Sequence, residues 1–158
     1  PALFRQRRSG RDGQVFWIYK FRTMHVLEDG PEVSHAVKND HRTTAIGRFL
    51  RRSSLDELPQ LLNVLKGEMS LVGPRPHAIA HDAYYSKVVP NYALRFAAKP
   101  GITGLAQVQG YRGEITSIAN MQGRVDRDIE YITNWSVALD IKILLLTVFS
   151  VPFHKAAY

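Results

Sequence analysis

Residues 50–76 read LRRSSLDELPQLLNVLKGEMSLVGPRP, and the centre of the fold depends on them. Leu55, Leu58, Leu61, Leu62 and Leu65 recur at helical spacing, so Ser54–Leu65 is expected to be a helix that buries its leucine stripe. Pro59 falls inside that helix and lacks an amide, which either starts the helix near Leu58 or bends it there. Lys66-Gly67 then ends it. Ser54-Leu55-Asp56-Glu57 has the spacing of a capping box, in which Ser54 caps the helix and Glu57 reaches back to its amide. The same residues allow a second use. A carboxylate at a helix mouth stays ionised, the amides beside it can hold phosphate oxygens, and Arg48, Arg51 and Arg52 stand just upstream. Asp56 could then accept a phosphoryl group covalently. Adjacent helical residues do not face each other, so Asp56 and Glu57 need not share a task.

Downstream, Gly73-Pro74-Arg75-Pro76 reads as a rigid turn. Its prolines lower the cost of holding the Arg75 fork, which fits a phosphate bidentately, although a surface turn with an incidental arginine has the same sequence. Ala78–Val88 is expected to be a helix carrying Tyr84 and Tyr85. Lys99–Gly104 is a punctuated loop before a short strand at Leu105–Val108, and Gly110–Gly113 turns again. Residues 117–134 form a charged helix in which Asp126 and Glu130 are four apart and Asp128 lies on a different side. The last element, SVALDIKILLLTVFSVPF at 136–153, is helical and apolar, interrupted by Asp140 and Lys142. Its continuous apolar part is too short to span a bilayer, which leaves a core helix or one lying on a membrane.

Upstream, the turn Gly10-Arg11-Asp12-Gly13 separates 3–8 from 14–21, an expected hairpin. Lys20 and Arg22 alternate with Tyr19 and Phe21, so both cations share a strand face. Residues 25–44 read as a surface loop able to move over a site, and Thr44–Leu50 as a short helix.

The 158 residues suffice for one domain, and 45% apolar with 22% charged residues is a folded composition. Cysteine is absent, which excludes disulfides and thiolate chemistry. A chain opening on Pro1 without Met is expected to be part of something longer. The net charge of +7 is concentrated early: residues 1–52 hold eleven Lys/Arg against five Asp/Glu, the remainder ten against nine. Such a field attracts phosphates of nucleotides, lipids or nucleic acids. The rival to an enzyme is a basic nucleic-acid module stacking bases on Phe16, Trp17 and Tyr19. Against it, basic residues are dispersed after residue 52 and no nucleic-acid motif appears. The six histidines form no zinc set: His77 and His81 are four apart but lack an HExxH pattern. Walker and GxGxxG patterns are also absent.

FRQRRSGRDGQVFWIYKFRTM, LRRSSLDELPQLLNVLKGEMSLVGPRP, RFAAKPGITGLAQVQGYRGE and DIEYITNWSVALDIKILLLT together resemble, in order and over nearly the whole chain, the bacterial sugar transferase family of polyprenyl-phosphate phosphoglycosyl transferases. The resemblance implies one catalytic domain over 1–158, an α+β fold that is mainly helical with a small hairpin or sheet, at a membrane surface. It implies transfer of a hexose 1-phosphate from a UDP-sugar, UDP-glucose first, to undecaprenyl phosphate, releasing UMP and starting exopolysaccharide synthesis. By the same resemblance Asp56 is the nucleophile and Glu57 its partner, with Mg²⁺ held by Asp56 and Glu57. Lys20, Arg51, Arg75, Arg112 and Asp128 match substrate-binding positions. His77 and His81 fall in a stretch typical of the hexose-phosphate branch, without an assigned role. The implied location is the cytoplasmic face of the inner membrane, against anionic lipid, with room for a homo-oligomer and no nucleic-acid partner. Family members carry an apolar membrane-inserted segment just before the region matching Pro1.

Overall fold

Gly10-Arg11-Asp12-Gly13 reverses the chain between β1 (Leu3–Ser9) and β2 (Val15–Phe21), with Asp12 and Gly13 in the left-handed region. The computed structural model, which describes residues 1–25, 40–113, 115 and 117–150, pairs the two strands antiparallel, with Phe4 opposite Lys20 and Arg8 opposite Phe16. Alternation puts Phe16 and Ile18 inward, where they form a core with Met69. The expected hairpin is thus present. Most of the expected loop at 25–44 lies outside the described residues. Its two ends meet where Met24 bridges to Thr43.

Helix α1 (Ala45–Ser53) begins at Thr44, whose hydroxyl accepts the Gly47 amide at 2.9 Å. It ends at Ser54, which takes a left-handed φ of 59° and turns the chain. The next segment corrects two expectations. Leu55–Gln60 is a 3-10 turn through Pro59, and α2 starts only at Leu61 and ends at Leu65. The leucine stripe is not buried: Leu58 is 50% and Leu65 84% exposed, while Glu57, Gln60 and Asn63 are buried. The cause is polar docking on β2. Asn63 donates through Nδ2 to the Trp17 carbonyl at 2.7 Å and accepts the Tyr19 amide at 3.1 Å, so the polar side of α2 faces the hairpin. Asn63 also donates to Glu68 at 2.7 Å. Asn63→Ala should therefore strand a buried strand amide and carbonyl, lowering stability by about 2 kcal/mol in urea unfolding.

Strand β3 (Ser70–Val72) pairs in parallel with β4 (Gly101–Thr103). Between them come α3 (Ile79–Val88) and a 3-10 stretch, Tyr92–Ala97. The strand expected at Leu105–Val108 is displaced: the chain pairs earlier, and Gln107–Tyr111 is a wide helical turn. Backbone contact fixes the earlier position, because a Cβ on Gly101 would lie 2.1 Å from the Gly73 nitrogen. Helix α4 (Ile118–Thr133) and α5 (Val137–Ser150) complete the chain. Tyr85, Val89, Tyr92, Met121 and Val125 join α3 to α4, and Val72, Leu105, Tyr131 and Ile143 join β3 to α5. On α5, Ile143 is fully buried but Val137, Leu145, Val148 and Phe149 are exposed. No described helix is long and apolar enough to cross a membrane. The fold is the expected mainly helical α+β type, with two two-stranded sheets among the described residues.

Candidate functional site: an acid pair among arginines

The left-handed turn at Ser54 breaks the capping box. Its side chain caps no amide; the hydroxyl instead accepts from the Arg112 guanidinium. Glu57 does not fold back either. Its Oε1 accepts from Lys20 Nζ at 2.9 Å and from Arg75 Nη2, and its Oε2 accepts from Arg75 Nη1 at 3.1 Å. Two cations outbid a neutral amide for a carboxylate in a half-dry site. Burial alone would raise the Glu57 carboxyl, but Arg75 and Lys20 hold it well below the usual carboxylate range. Burial also lowers the Lys20 ammonium, against the opposing pull of Glu57.

Asp56 sits on the same turn but bonds to neither cation. Its carboxylate has no hydrogen bond or ion pair among the described residues. Burial raises it above its ordinary value, Lys20 pulls it back, and the neighbouring Glu57 charge raises it further. One acid of the pair is fully satisfied, and the other keeps its carboxylate unbonded among the described residues.

The Pro-Arg-Pro turn is braced from behind. Arg95, buried between α3 and α4, donates through Nη2 to the Arg75 carbonyl at 2.7 Å and to Asp128 Oδ2 at 2.8 Å, with Nε on the same oxygen at 3.1 Å. Asp128 is thus buried behind Arg75, not beside the acid pair. Its solvated helix-mates Asp126 and Glu130 face outward, Glu130 pairing with Arg127. Arg51 approaches the Thr43 hydroxyl at 3.5 Å, and its charge bears on Asp56. Arg112 comes to the site through Ser54, and Arg124 Nη2 holds the adjoining Gly113 carbonyl at 3.2 Å. Lys20, Glu57 and Arg75 therefore meet directly, Arg51 and Arg112 flank Asp56, and Asp128 stands a layer back.

His77 belongs to that rear layer. Its Nδ1 accepts from Arg95 Nη1 at 2.7 Å and lies 2.7 Å from the Tyr92 hydroxyl, which donates to Asp82 Oδ1 at 2.6 Å. Burial, then the charge of Arg95, pushes His77 well below its ordinary value of 6.5. An unfolded chain takes up this proton below about pH 6.5 and the folded one does not, so stability should drop as the pH is lowered through 6.5, by up to about 1.4 kcal/mol per pH unit. Asp82 and Asp128, both raised by burial, act in the opposite sense as the pH falls toward the ordinary carboxylate range. His77→Asn should flatten the slope in urea titrations between pH 7 and 5; an unchanged slope would put the proton elsewhere.

Among the described residues no three His, Asp or Glu side chains are grouped as metal ligands. Phe16 is buried under the hairpin and is not available to stack a base, whereas Trp17 is exposed with Arg5 and Arg7 over its ring.

The bacterial sugar transferase family matches residues 1–154. The chain belongs to that family. This sugar transferase chain is 57% identical over 158 residues to a UDP-glucose:undecaprenyl-phosphate glucose-1-phosphate transferase of Caulobacter vibrioides, covering all of the chain and 59% of that protein. A protein of the same name from Escherichia coli is 54% identical over 158 residues, all of the chain and 34% of the relative. A galactosyl transferase CpsE of Streptococcus agalactiae is 44% identical over 158 residues, 93% of the chain and 34% of the relative. The sugar transferase chain thus spans 59% or less of the length of these three proteins. Arg95, Tyr92, Asp82 and Asn63 were not legible as site support in its sequence. Arg95 stands in RFAAKPG, beside a punctuated loop, with no spacing that ties it to Arg75.

Proposed function

We propose that the chain is the catalytic part of a phosphoglycosyl transferase that moves a hexose 1-phosphate from a UDP-sugar, UDP-glucose first, to undecaprenyl phosphate. The observation that carries this reading is the contrast within one turn: Glu57 neutralised by Lys20 and Arg75, and Asp56 without a partner among the described residues. An Asp56 oxygen attacks the phosphorus that bears the sugar. The bond from that phosphorus to the bridging oxygen breaks, and UMP leaves with the electron pair. An oxygen of undecaprenyl phosphate then attacks the same phosphorus, the Asp56–phosphorus bond breaks, and the carboxylate is restored.

Lys20 and Arg75 supply positive charge for the diphosphate, and Glu57 keeps both cations fixed without itself reacting. Arg51 and Arg112 add charge on either side, and Asp128 acts through Arg95 on the Arg75 turn. The acids suit Mg²⁺ in one respect. Magnesium uses one or two carboxylates and takes its other ligands from phosphate and water; Asp56 has open oxygens, whereas both Glu57 oxygens are engaged. Asp56 would hold the ion, which supplies charge neutralisation at the diphosphate. Membrane contact fits α1, where exposed Ile46 and Phe49 alternate with Arg48 and Arg52. The cytoplasmic face of the inner membrane, where UDP-sugars are available, and a role in starting exopolysaccharide repeat units complete the proposal.

Intact-mass measurement of the full-length protein with UDP-glucose or UDP-galactose, without acceptor, tests it. A hexose-phosphate gain mapping to Asp56 is the expected result, and the productive nucleotide names the sugar. Lipid-dependent UMP release with no adduct in a trapped single turnover would replace the covalent route by direct displacement.

A further inference from the structure

A cavity of about 210 Å³ opens beside the acid pair, and Glu57, Ser54 and Arg112 belong to its wall. Most of the remaining wall is hydrocarbon: Leu58 and Leu61, Leu71 and Ile102 from the parallel strands, and Leu144 of α5. Its other polar members are Thr103 and Thr147, bonded hydroxyl to hydroxyl at 2.7 Å, and Gln107, whose Nε2 donates to the Ile102 carbonyl at 3.2 Å and whose buried Oε1 has no partner among the described residues. Such a lining suits a nucleotide sugar poorly, because apart from any at Gln107 the sugar's hydroxyls would lose water against leucine and isoleucine, at a cost of about 1–3 kcal/mol each. It is well suited to the other half of the proposed reaction. A polyprenyl phosphate is one anionic head on a long hydrocarbon chain, and the cavity is one charged end on an apolar wall.

The surroundings extend the match. The helices that flank the opening, α2 and α5, carry Leu62, Leu65, Leu146 and Phe149 exposed to solvent. A chain longer than the cavity can therefore continue onto these exposed apolar side chains. This also accounts for the inverted α2: its polar side is used by the hairpin, and its leucines are left for hydrocarbon.

We infer that this cavity binds the first isoprene units of the lipid acceptor, holding its phosphate at the Glu57 end. The inference rests on the proposed transfer to a polyprenyl phosphate, and it adds Leu58, Leu61, Leu71, Ile102 and Leu144 as the residues that recognise the acceptor's hydrocarbon.

The test uses full-length protein in phosphatidylglycerol-containing vesicles and a short prenyl phosphate bearing a diazirine on its second isoprene unit. Photolabel is expected on the peptides around Leu58–Leu61 and Leu144, and unlabelled farnesyl phosphate should displace it. Filling the cavity with Leu61→Trp or Leu144→Trp should cut labelling and raise the acceptor KM about tenfold or more. The acceptor-free burst of UMP from the donor reports that each variant is folded. Label on other peptides, undiminished label in both filled variants, or displacement by phosphatidylglycerol as readily as by farnesyl phosphate would each overturn the inference. Label in the cavity with no UMP burst from wild-type protein would keep the prenyl site and remove the covalent transfer reaction.

Discussion

Asp56→Asn is expected to abolish UMP release from UDP-glucose, by about 10⁴-fold or more, while the protein stays folded and becomes slightly more stable. An amide cannot donate the electron pair that forms the acyl-phosphate bond, and a lost nucleophile is among the largest effects a single substitution has on turnover. The stability change follows from the same carboxylate. Burial raises Asp56 above its ordinary value, so at neutral pH its charge is held in the fold at a cost that the unfolded chain does not bear. Asn removes that cost and breaks no bond, because the carboxylate makes none among the described residues. UMP release by chromatography and thermal melting on the same sample read both effects. Wild-type turnover would move the nucleophile to another residue. A melting temperature lowered by several degrees would reveal a structural role that the geometry does not give Asp56.

The neighbouring acid should behave in the opposite way. Glu57→Gln keeps the shape and removes the charge that Lys20 and Arg75 share at side-chain exposures of 18% and 28%. Losing one partner of a fully buried pair costs about 3–5 kcal/mol, and the partly open Arg75 brings the expected loss to the lower end, about 3 kcal/mol. The two released cations then act on Asp56, which is drawn toward its charged form and becomes a weaker base and nucleophile. Turnover should fall about 10²-fold through kcat, with the hexose-phosphate adduct still detectable. A double-mutant cycle with Lys20→Met separates pair energy from chemistry. If Glu57→Gln instead matched Asp56→Asn, with full stability and no adduct, the two acids would have exchanged roles.

The hairpin, α3, α4 and α5 were legible because each rests on a local signal: a Gly-Arg-Asp-Gly turn, strand alternation, or helical spacing bounded by punctuation. The central stretch was legible as chemistry but not as structure. Periodicity correctly found the leucine side of α2, yet spacing does not say what covers a face. Here Asn63, bonded to the Trp17 carbonyl and the Tyr19 amide, turns the polar side inward. The capping pattern failed for a related reason. Glu57 was placed by two cations distant in sequence, and an ion pair at 2.9 Å outweighs a local amide. The misplaced strand shows the limit of propensity, since Leu105–Val108 suits either state, and the contact of Gly101 with Gly73 decides the pairing. Asp56, Glu57, Lys20 and Arg75 could be named from motif and resemblance. Arg95 could not, because its link to Arg75 runs through a backbone carbonyl, which carries no sequence identity.

The brace behind Arg75 has a consequence for the order in which a ribosome delivers these parts. Of these parts the hairpin precedes the acid pair, which precedes the Pro-Arg-Pro turn. Arg95 appears only afterwards, and the carboxylate that aligns it, Asp128, comes last of all on α4. A nascent chain thus exposes Asp56 and Glu57 long before the arginine that faces them is held in position. A polypeptide ending before α4 therefore carries the acid pair without the carboxylate that aligns Arg95 behind Arg75.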